Sequence, residues 1–295
     1  MVHIRCNNKD RGEEPVIMMK VCELVDQAEK KLKGISETPR LDAEILLAKA
    51  LDTDRFGIFT KYGDEAGEEA EKLFDSFVAR RTSFEPVAYI TNEKEFFEDT
   101  FFVDSRVLIP RPETEFIVEK AVELLKNSLK AGVLDICCGS GCIGLSIKRA
   151  TDCRLTLSDI SEEALEVAKI NANRLFPASS DISFVQSDLF ENIEGSFDLI
   201  TANPPYLSAR DMEKFVVKEL GFEPGKAFFG GKTGFEITEK ILKSAGRFLK
   251  TGGHFITELG FEGSPFLNGT QEGLELKNIV KDYSGIDRAA VFRKI

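Results

Sequence analysis

Four consecutive residues in the second half of the chain, Asn203-Pro204-Pro205-Tyr206, combine groups that can hold a planar nitrogen. The side-chain oxygen of Asn203 and the backbone carbonyl of Pro204 offer two acceptors to the two donors of an NH2 group. The prolines fix the backbone of the turn, and Tyr206 can stack on a flat acceptor. We therefore expect Asn203, Pro204, Pro205 and Tyr206 to form a catalytic segment that acts on an amide or amine nitrogen.

A glycine-containing loop lies upstream of this segment. The apolar run 133–136 predicts a strand, and the glycines that follow allow backbone conformations and close approaches that a Cβ would block. Asp159 comes about twenty residues after Gly139, at the end of the next predicted strand, where a carboxylate can accept both hydroxyls of a ribose. The loop residues that we expect to contact an adenosine-containing cofactor are Asp135, Cys137, Cys138, Gly139, Ser140 and Gly141.

The composition of the loop favours S-adenosylmethionine over a dinucleotide. Dinucleotide loops follow the spacing G-x-G-x-x-G, and Cys137 stands here in place of the first glycine. A methionine tail, unlike a pyrophosphate, needs no phosphate cradle. Asp188, after a third predicted strand, is expected beside the adenine, with Leu189 over the ring and Ile160 next to Asp159. The predicted reaction is an in-line transfer of the methyl group from sulfonium to nitrogen, for which no metal is required.

Cysteine and histidine usage argues against other chemistries. Cys137, Cys138 and Cys142 crowd the loop, but no candidate base lies near them in sequence, so we interpret them as packing residues. The chain has two histidines, His3 and His254, and neither lies near the cysteines, so the sequence does not predict a zinc site.

The composition is that of a globular protein with an acidic surface. The chain has 295 residues, of which 42% are hydrophobic, and a formal net charge of −11, which disfavours a nucleic-acid backbone as partner. No apolar run of about twenty residues and no signal-peptide segment is present in the sequence, so we expect a cytoplasmic location.

The hydrophobic periodicity predicts three parts. Residues 1–83 are expected to form a small helical domain, with a helical pattern from Val16 to about Arg81 and a helix that begins near Pro39. Residues 84–110 are expected to form a β-hairpin linker, because Val87-Ala88-Tyr89-Ile90, Phe96-Phe97 and 101–103 alternate with turn residues. Residues 111–295 alternate strand and helix signals, which is typical of a doubly wound α/β domain.

Within the α/β part, each predicted element has its own signal. Ser161, followed by two glutamates, is expected to begin a helix. Further strands are predicted at 155–157, 182–185 and 197–200. One helix is predicted to begin at Ile143 and another to span 235–249. The end of the chain, at 253–259 and 274–294, is predicted to be rich in strands.

Three motifs occur in an order that identifies a family. Arg40-Leu41-Asp42-Ala43-Glu44, then Ile109-Pro110-Arg111-Pro112-Glu113-Thr114-Glu115, then Asn203-Pro204-Pro205-Tyr206 resemble the release factor glutamine methyltransferases. Phe222-Glu223-Pro224, the Gly230-Gly231 pair and the segment 281–288 extend the resemblance over nearly everything after Val16. The chain departs from the family at Cys137, where glycine is usual, and residues 1–15 have no evident counterpart.

The resemblance implies a seven-stranded, Rossmann-like class I methyltransferase domain, preceded by a helical domain that helps to dock a peptide chain release factor. It implies a monomeric enzyme that methylates the glutamine amide of the Gly-Gly-Gln loop in that factor. By the same resemblance, residues 203–206 hold the glutamine, residues 137–141 with Asp159 and Leu189 hold the cofactor, and Arg111 lies near the site. We expect Arg111 and Asn203 to contact the cofactor as well.

Two other functions are compatible with some of these signals. The tetrapeptide also occurs in adenine and guanine N-methyltransferases of nucleic acids, for which a basic recognition domain would be expected. A cofactor-binding scaffold that activates a partner enzyme is the second alternative, and the intact tetrapeptide argues against it.

Overall fold

The computed structural model describes residues 19–214, 221–260, 267 and 270–295. The chain divides after Thr91 into two compact units, the first helical and the second α/β. In this described part of the chain, helices are too short or too polar to cross a bilayer. The beginning of the helical pattern at Val16, His3 and the segment 1–15 lie outside the described residues.

The first unit contains five helices: α1 (Val21–Leu32), α2 (Pro39–Ala50), α3 (Arg55–Thr60), α4 (Glu68–Thr82) and α5 (Val87–Thr91). Pro39 occupies the first turn of α2, as the sequence predicts, where a missing N–H costs no helical hydrogen bond. Apolar side chains of these helices form one buried cluster, which includes Leu32, Leu46, Leu47, Ile58 and Phe74.

The prediction of a strand at Val87-Ala88-Tyr89-Ile90 is wrong, because these residues form helix α5. The N–H groups of Tyr89 and Ile90 donate to the carbonyl of Pro86, at 3.0 and 3.1 Å. Tyr89, Ile90 and Thr91 are consecutive and all buried, which a half-exposed strand would not allow. Packing in the helical unit therefore outweighs the β propensity of these side chains.

The hairpin itself is present but shorter than predicted. Strand β1 (Lys94–Phe96) pairs antiparallel with β2 (Asp99–Phe101), and both belong to the second unit. Phe96 and Phe101 are buried and meet edge to face, with ring centroids 6.0 Å apart. They extend the core of the α/β unit, as expected for phenylalanines that pack.

The second unit has the predicted alternation of strands and helices. Its elements after the hairpin are α6 (Glu115–Leu125), β3 (Gly132–Ile136), α7 (Cys142–Ala150), β4 (Arg154–Asp159), α8 (Glu162–Leu175), β5 (Ile182–Gln186), β6 (Phe197–Ala202), β7 (Leu207–Ser208), α9 (Ala209–Lys214), β8 (Phe229–Gly231), α10 (Glu236–Phe248), β9 (Leu249–Glu258), β10 (Thr270–Gln271), β11 (Leu274–Lys281) and β12 (Asp287–Lys294). Ser161 caps α8, because its hydroxyl accepts from the N–H of Ala164 at 3.3 Å.

The main sheet has the strand order β10-β11-β12-β9-β6-β3-β4-β5. Among the described residues, seven of its strands have five or more residues, and β10 adds a two-residue edge. Strands β9, β6, β3, β4 and β5 run parallel, whereas β12 and β11 are antiparallel to their neighbours. Apolar clusters cover both faces of the sheet. The fold is therefore the seven-stranded, Rossmann-like class I methyltransferase fold that the sequence predicts.

The topology fixes where a ligand can bind. The chain runs outward from β3 through β4 to β5 and then returns to β6 on the other side of β3. The connections that follow β3 and β6 therefore leave the sheet in opposite directions and open a crevice at the carboxyl ends of these strands.

Candidate functional site

The loop after β3 is shaped by a carboxylate from the strand itself. Gly141, with φ 78°, precedes α7 and offers no side chain to cap the helix. Asp135 takes over this role, because its Oδ2 accepts from the N–H of Gly144 at 3.1 Å, while its Oδ1 accepts from the hydroxyl of Thr201 at 2.8 Å. Asp135 is fully buried under the loop and is not among the residues that line the cavity described below.

Burial of Asp135 leaves its carboxylate poorly solvated. Desolvation raises the pKa of Asp135 to about 7, against the opposing effects of the Thr201 hydroxyl and the Gly144 N–H. The structure also explains why residue 144 is glycine: a Cβ there would lie 2.6 Å from a methyl group of Leu157. The helix can therefore approach the sheet closely enough for Asp135 to reach it.

Cys137 lies in the left-handed region of backbone space, with φ 56°. Glycine adopts this conformation most easily, which accounts for glycine at this position in the family that the sequence resembles. Burial, followed by the charges of Asp159 and Asp135, raises the pKa of the Cys137 thiol far above its ordinary range, and burial raises the pKa of Cys142 to about 12. Protonated thiols are poor nucleophiles, which supports the interpretation of these cysteines as packing residues.

Asp159 lies at the end of β4, beside the loop. Its Oδ2 accepts from the N–H of Gly139 and its Oδ1 from the N–H of Ser161, both at 2.9 Å. Burial raises its pKa, while the backbone N–H groups of Ser161, Gly139 and Ile160 lower it. A carboxylate has about four acceptor positions, so acceptor capacity remains for a hydroxyl group of a ligand. The same hydrogen bonds fix the direction in which the remaining lone pairs point.

A cavity of about 730 Å³ opens above these elements. The predicted cofactor residues that line it are Arg111, Cys137, Cys138, Gly139, Ser140, Asp159, Ile160, Asp188, Leu189 and Asn203. Asp188 is exposed, and Ile160 is 57% exposed, so both lie at the rim. Gly141, like Asp135, is not among the lining residues. A glycine-rich loop, two carboxylates and an apolar rim fit an adenosine-containing cofactor such as S-adenosylmethionine.

The segment Asn203 to Tyr206 follows β6 directly, on the other side of the crevice. Asn203 and Pro205 line the cavity, whereas Pro204 and Tyr206 are not among its lining residues. The Asn203 side-chain NH2 donates to the hydroxyl oxygen of Thr114 at 3.3 Å. The side-chain oxygen of Asn203 has no hydrogen-bond partner among the described residues. It is therefore available to a donor in the cavity.

Two glycines, Gly230 and Gly234, lie directly against the backbone of this segment. The N–H of Leu207 donates to the carbonyl of Phe228 at 2.8 Å, where β7 meets β8. A Cβ on Gly230 would lie 2.4 Å from the carbonyl oxygen of Pro205, and a Cβ on Gly234 would lie 2.3 Å from the carbonyl oxygen of Tyr206. Gly230, which belongs to the Gly230-Gly231 pair of the family resemblance, therefore packs against the tetrapeptide backbone.

Two buried polar residues complete the surroundings of Asn203, and sequence reasoning assigned neither of them a role. Thr114 follows Pro112 in a 3-10 turn, is 2% exposed, and donates its hydroxyl to Glu258 Oε2 at 2.6 Å. Burial raises the pKa of Glu258 to about 7; the Thr114 hydroxyl lowers it, Glu113 raises it, and Arg288 and Arg111 lower it. Thr114 lies inside a motif quoted above, whereas Glu258 had no sequence signal beyond an acid in an apolar strand.

Arg111 holds one wall of the cavity through an ion pair. Its guanidinium lies 2.6 Å from Glu223 Oε1, and Glu223 Oε2 accepts from the N–H of Ile109 at 3.0 Å. The Glu223 side chain is 2% exposed, so this pair is shielded from water on the carboxylate side. It joins two of the motifs that were recognised separately in the sequence.

The chain is similar to known methyltransferases over most of its length. Residues 115–229 match the family model of the methyltransferase small domain, and residues 23–91 match that of the PrmC N-terminal domain. A release factor glutamine methyltransferase of Koribacter versatilis is 37% identical over 273 residues, which are 91% of this chain and 96% of that protein. One from Leptospira interrogans is 37% identical over 92% of this chain and 97% of its own length. One from Rhodopirellula baltica is 36% identical over 96% and 98%, respectively.

The prediction of an S-adenosylmethionine-dependent methyltransferase is thereby confirmed for the enzyme class, the fold and the cofactor. At these identities over more than nine tenths of its length, the chain belongs to the release factor glutamine methyltransferase family.

Proposed function

We propose that this protein transfers a methyl group from S-adenosylmethionine to the side-chain amide nitrogen of the glutamine in the Gly-Gly-Gln loop of a peptide chain release factor. One observation carries the proposal: the Asn203 amide borders the same cavity as the loop after β3, and its oxygen is free to accept from an NH2 group. The names of its relatives support the choice of acceptor.

The cofactor side of the site is assigned to the ends of β3, β4 and β5. Asp159 would accept from the ribose hydroxyls with its remaining acceptor capacity, and Asp188 with Leu189 would border the adenine. The loop 137–140 would enclose the methionine portion. When bound, S-adenosylmethionine supplies a methyl group on a positively charged sulfur.

The acceptor side is assigned to the tetrapeptide. The side-chain oxygen of Asn203 and the carbonyl of Pro204 would accept the two N–H groups of the glutamine amide and turn its nitrogen towards the cofactor. Burial raises the pKa of Tyr206 to about 12, so its phenol stays neutral and cannot serve as a base near neutral pH. Its role would be to contact the flat face of the amide. Rate enhancement would come from alignment and from acceptors that stabilise positive charge on the nitrogen.

We assign the docking of the release factor to the helical unit, where the sequence predicts a small helical domain at residues 1–83. On α3 the side chains of Phe56 and Phe59 are 82% and 46% exposed, and the guanidinium of Arg55 lies 6.0 Å from the Phe59 ring centroid. Exposed aromatic side chains next to an arginine are a common composition for protein interfaces. We further propose a monomer that acts in the cytoplasm, which the sequence signals favour.

The test is a transfer assay with isotope-labelled S-adenosylmethionine and a release factor that carries either glutamine or alanine in the Gly-Gly-Gln loop. Label is expected on the glutamine form alone, and equal labelling of both forms would refute the substrate. A duplex DNA and a structured RNA in parallel reactions test the nucleic-acid alternative, which the net charge of −11 disfavours.

Two variants separate catalysis from binding. Asn203→Ala should lose at least about a hundredfold in kcat, with a change of less than about tenfold in its affinity for S-adenosylhomocysteine, because the acceptor for the amide is removed while the loop after β3 and Asp159 still hold the cofactor. Asn278→Ala, at an exposed position of β11, is the matched control and should behave as wild type. A scaffold that activates a partner enzyme would keep the partner's activity in the Asn203→Ala variant.

A further inference from the structure

The side chain of Asn203 can present either its oxygen or its NH2 group to the cavity, and only the oxygen suits a substrate that donates. An amide that rotates freely would spend part of its time with the wrong group exposed. The structure surrounds this amide with two buried residues from distant elements, Thr114 before α6 and Glu258 at the end of β9. Neither residue lies in the tetrapeptide.

The direction of the hydrogen bonds follows from the chemistry of the three groups. An ionised Glu258 can only accept, so the Thr114 hydroxyl must donate its one proton to it. The Thr114 oxygen can then only accept from Asn203. As a result the NH2 group of Asn203 faces Thr114, at 3.3 Å, and its oxygen faces the cavity.

We infer that Thr114, held by Glu258, is the positioning residue that sets the polarity of Asn203 and thereby selects a neutral amide over a carboxylate as acceptor. The inference rests on the proposed function. A glutamine side chain donates two hydrogen bonds to the site, whereas a glutamate side chain only accepts and would meet the oxygen of Asn203 with repulsion.

Protonation of Glu258 would remove the fixed orientation of the Asn203 side-chain amide. A neutral carboxyl group can donate to the Thr114 oxygen, and the Thr114 proton is then free to turn towards Asn203. The amide could rotate and offer its NH2 group to the cavity. Burial of both partners strengthens the effect, because a desolvated donor or acceptor tolerates no mismatch: Thr114 is 2% and Glu258 5% exposed.

The test compares Thr114→Val, which keeps the shape and loses the hydroxyl, with Thr114→Ser, which keeps the hydroxyl. We expect Thr114→Val to lose about ten- to a hundredfold in kcat with the KM for S-adenosylmethionine within about twofold of wild type. Thr114→Ser should restore most of the activity. The matched control is Thr257→Val, since Thr257 is also buried and, among the described residues, its hydroxyl donates only to the backbone carbonyl of Glu258, at 3.2 Å.

A second measurement addresses polarity directly. Wild type should bind a release factor with glutamine in its loop at least about tenfold more tightly than one with glutamate, and Thr114→Val should narrow this ratio. A folding defect would weaken the binding of both release factors to the same degree and leave the ratio of their affinities unchanged. An unchanged ratio and kcat in Thr114→Val, or equal losses in Thr257→Val, would overturn the inference.

A third measurement needs no substrate. The side-chain NH2 resonances of Asn203, assigned by their absence in Asn203→Ala, should exchange slowly with solvent in wild type and faster in Thr114→Val. If the wild-type enzyme labelled no release factor but showed this protection, the proposed function would fail and the hydrogen-bond chain would stand. Equal exchange in both proteins would refute the chain whatever the substrate.

Discussion

The buried carboxylate of Asp135 predicts an unusual dependence of stability on pH. Desolvation raises the pKa of Asp135 from the ordinary 3.8 to about 7 in the folded protein. The folded state therefore binds more protons than the unfolded state between these values, so stability falls as pH rises through this window and levels off above it. For these two pKa values the contribution to the free energy of unfolding falls by about 1 kcal/mol between pH 6 and pH 8.

Asp135→Asn removes the pH-dependent contribution of Asp135 to the free energy of unfolding and can keep both hydrogen bonds. An asparagine can accept from the N–H of Gly144 with its oxygen and donate to the hydroxyl oxygen of Thr201 with its NH2 group. Relative to wild type, the variant should therefore gain about 1 kcal/mol of stability between pH 6 and pH 8, in addition to a gain of up to about 3 kcal/mol already present at pH 6.

Urea unfolding of the full chain, followed by far-ultraviolet circular dichroism at both pH values, measures this difference. Comparison of variant with wild type at the same pH cancels the contribution of the helical unit. Thr201→Val serves as a second test variant, because it removes a donor that lowers the pKa of Asp135. Its stability should fall more steeply than that of wild type between pH 6 and pH 8. Parallel stabilities of wild type and Asp135→Asn from pH 6 to pH 8 would refute the reasoning.

Three further outcomes are expected. Asp159→Asn should weaken S-adenosylhomocysteine about ten- to a hundredfold in calorimetry, since an NH2 group cannot accept from a hydroxyl; unchanged affinity would count against its assignment. Gly230→Ala should lose most transfer activity, because its Cβ would lie 2.4 Å from the Pro205 carbonyl, whereas Gly221→Ala, with open space around it, should not. Glu258→Gln should abolish the fall in kcat expected below about pH 7 in wild type, and a persisting fall would show that another group titrates.

The sequence is most informative where a residue acts through its own neighbours in the chain. The Gly139 loop, Asp159 and the Asn203 segment were all predicted at the ends of their strands, because each follows an apolar run that defines the strand. Prediction of the tetrapeptide needs no long-range information, since both of its proposed acceptors belong to the adjacent residues Asn203 and Pro204.

Prediction failed where packing or distant contacts decide. The residues of α5 have the side chains of a strand, and only their burial within the helical unit makes them helical. The bond between Thr114 and Glu258 joins positions 144 residues apart. No local pattern distinguishes these two from an ordinary helix-entry threonine and an ordinary strand-end acid.

Asp135 and Glu258 are buried acids near the carboxyl ends of two parallel strands, β3 and β9. Each accepts from a threonine hydroxyl, at 2.8 and 2.6 Å, and each is held at an unfavourable pKa of about 7. Asp135 supports the loop after β3, and Glu258 supports the amide of Asn203 through Thr114. A hydrophobic replacement of either acid would remove the cost of desolvation. At Asp135 it would also leave the N–H of Gly144 without its acceptor, and at Glu258 it would leave the orientation of the Asn203 amide unfixed. The sheet therefore retains two costly charges at the two points where the orientation of a hydrogen bond determines what the cavity can bind.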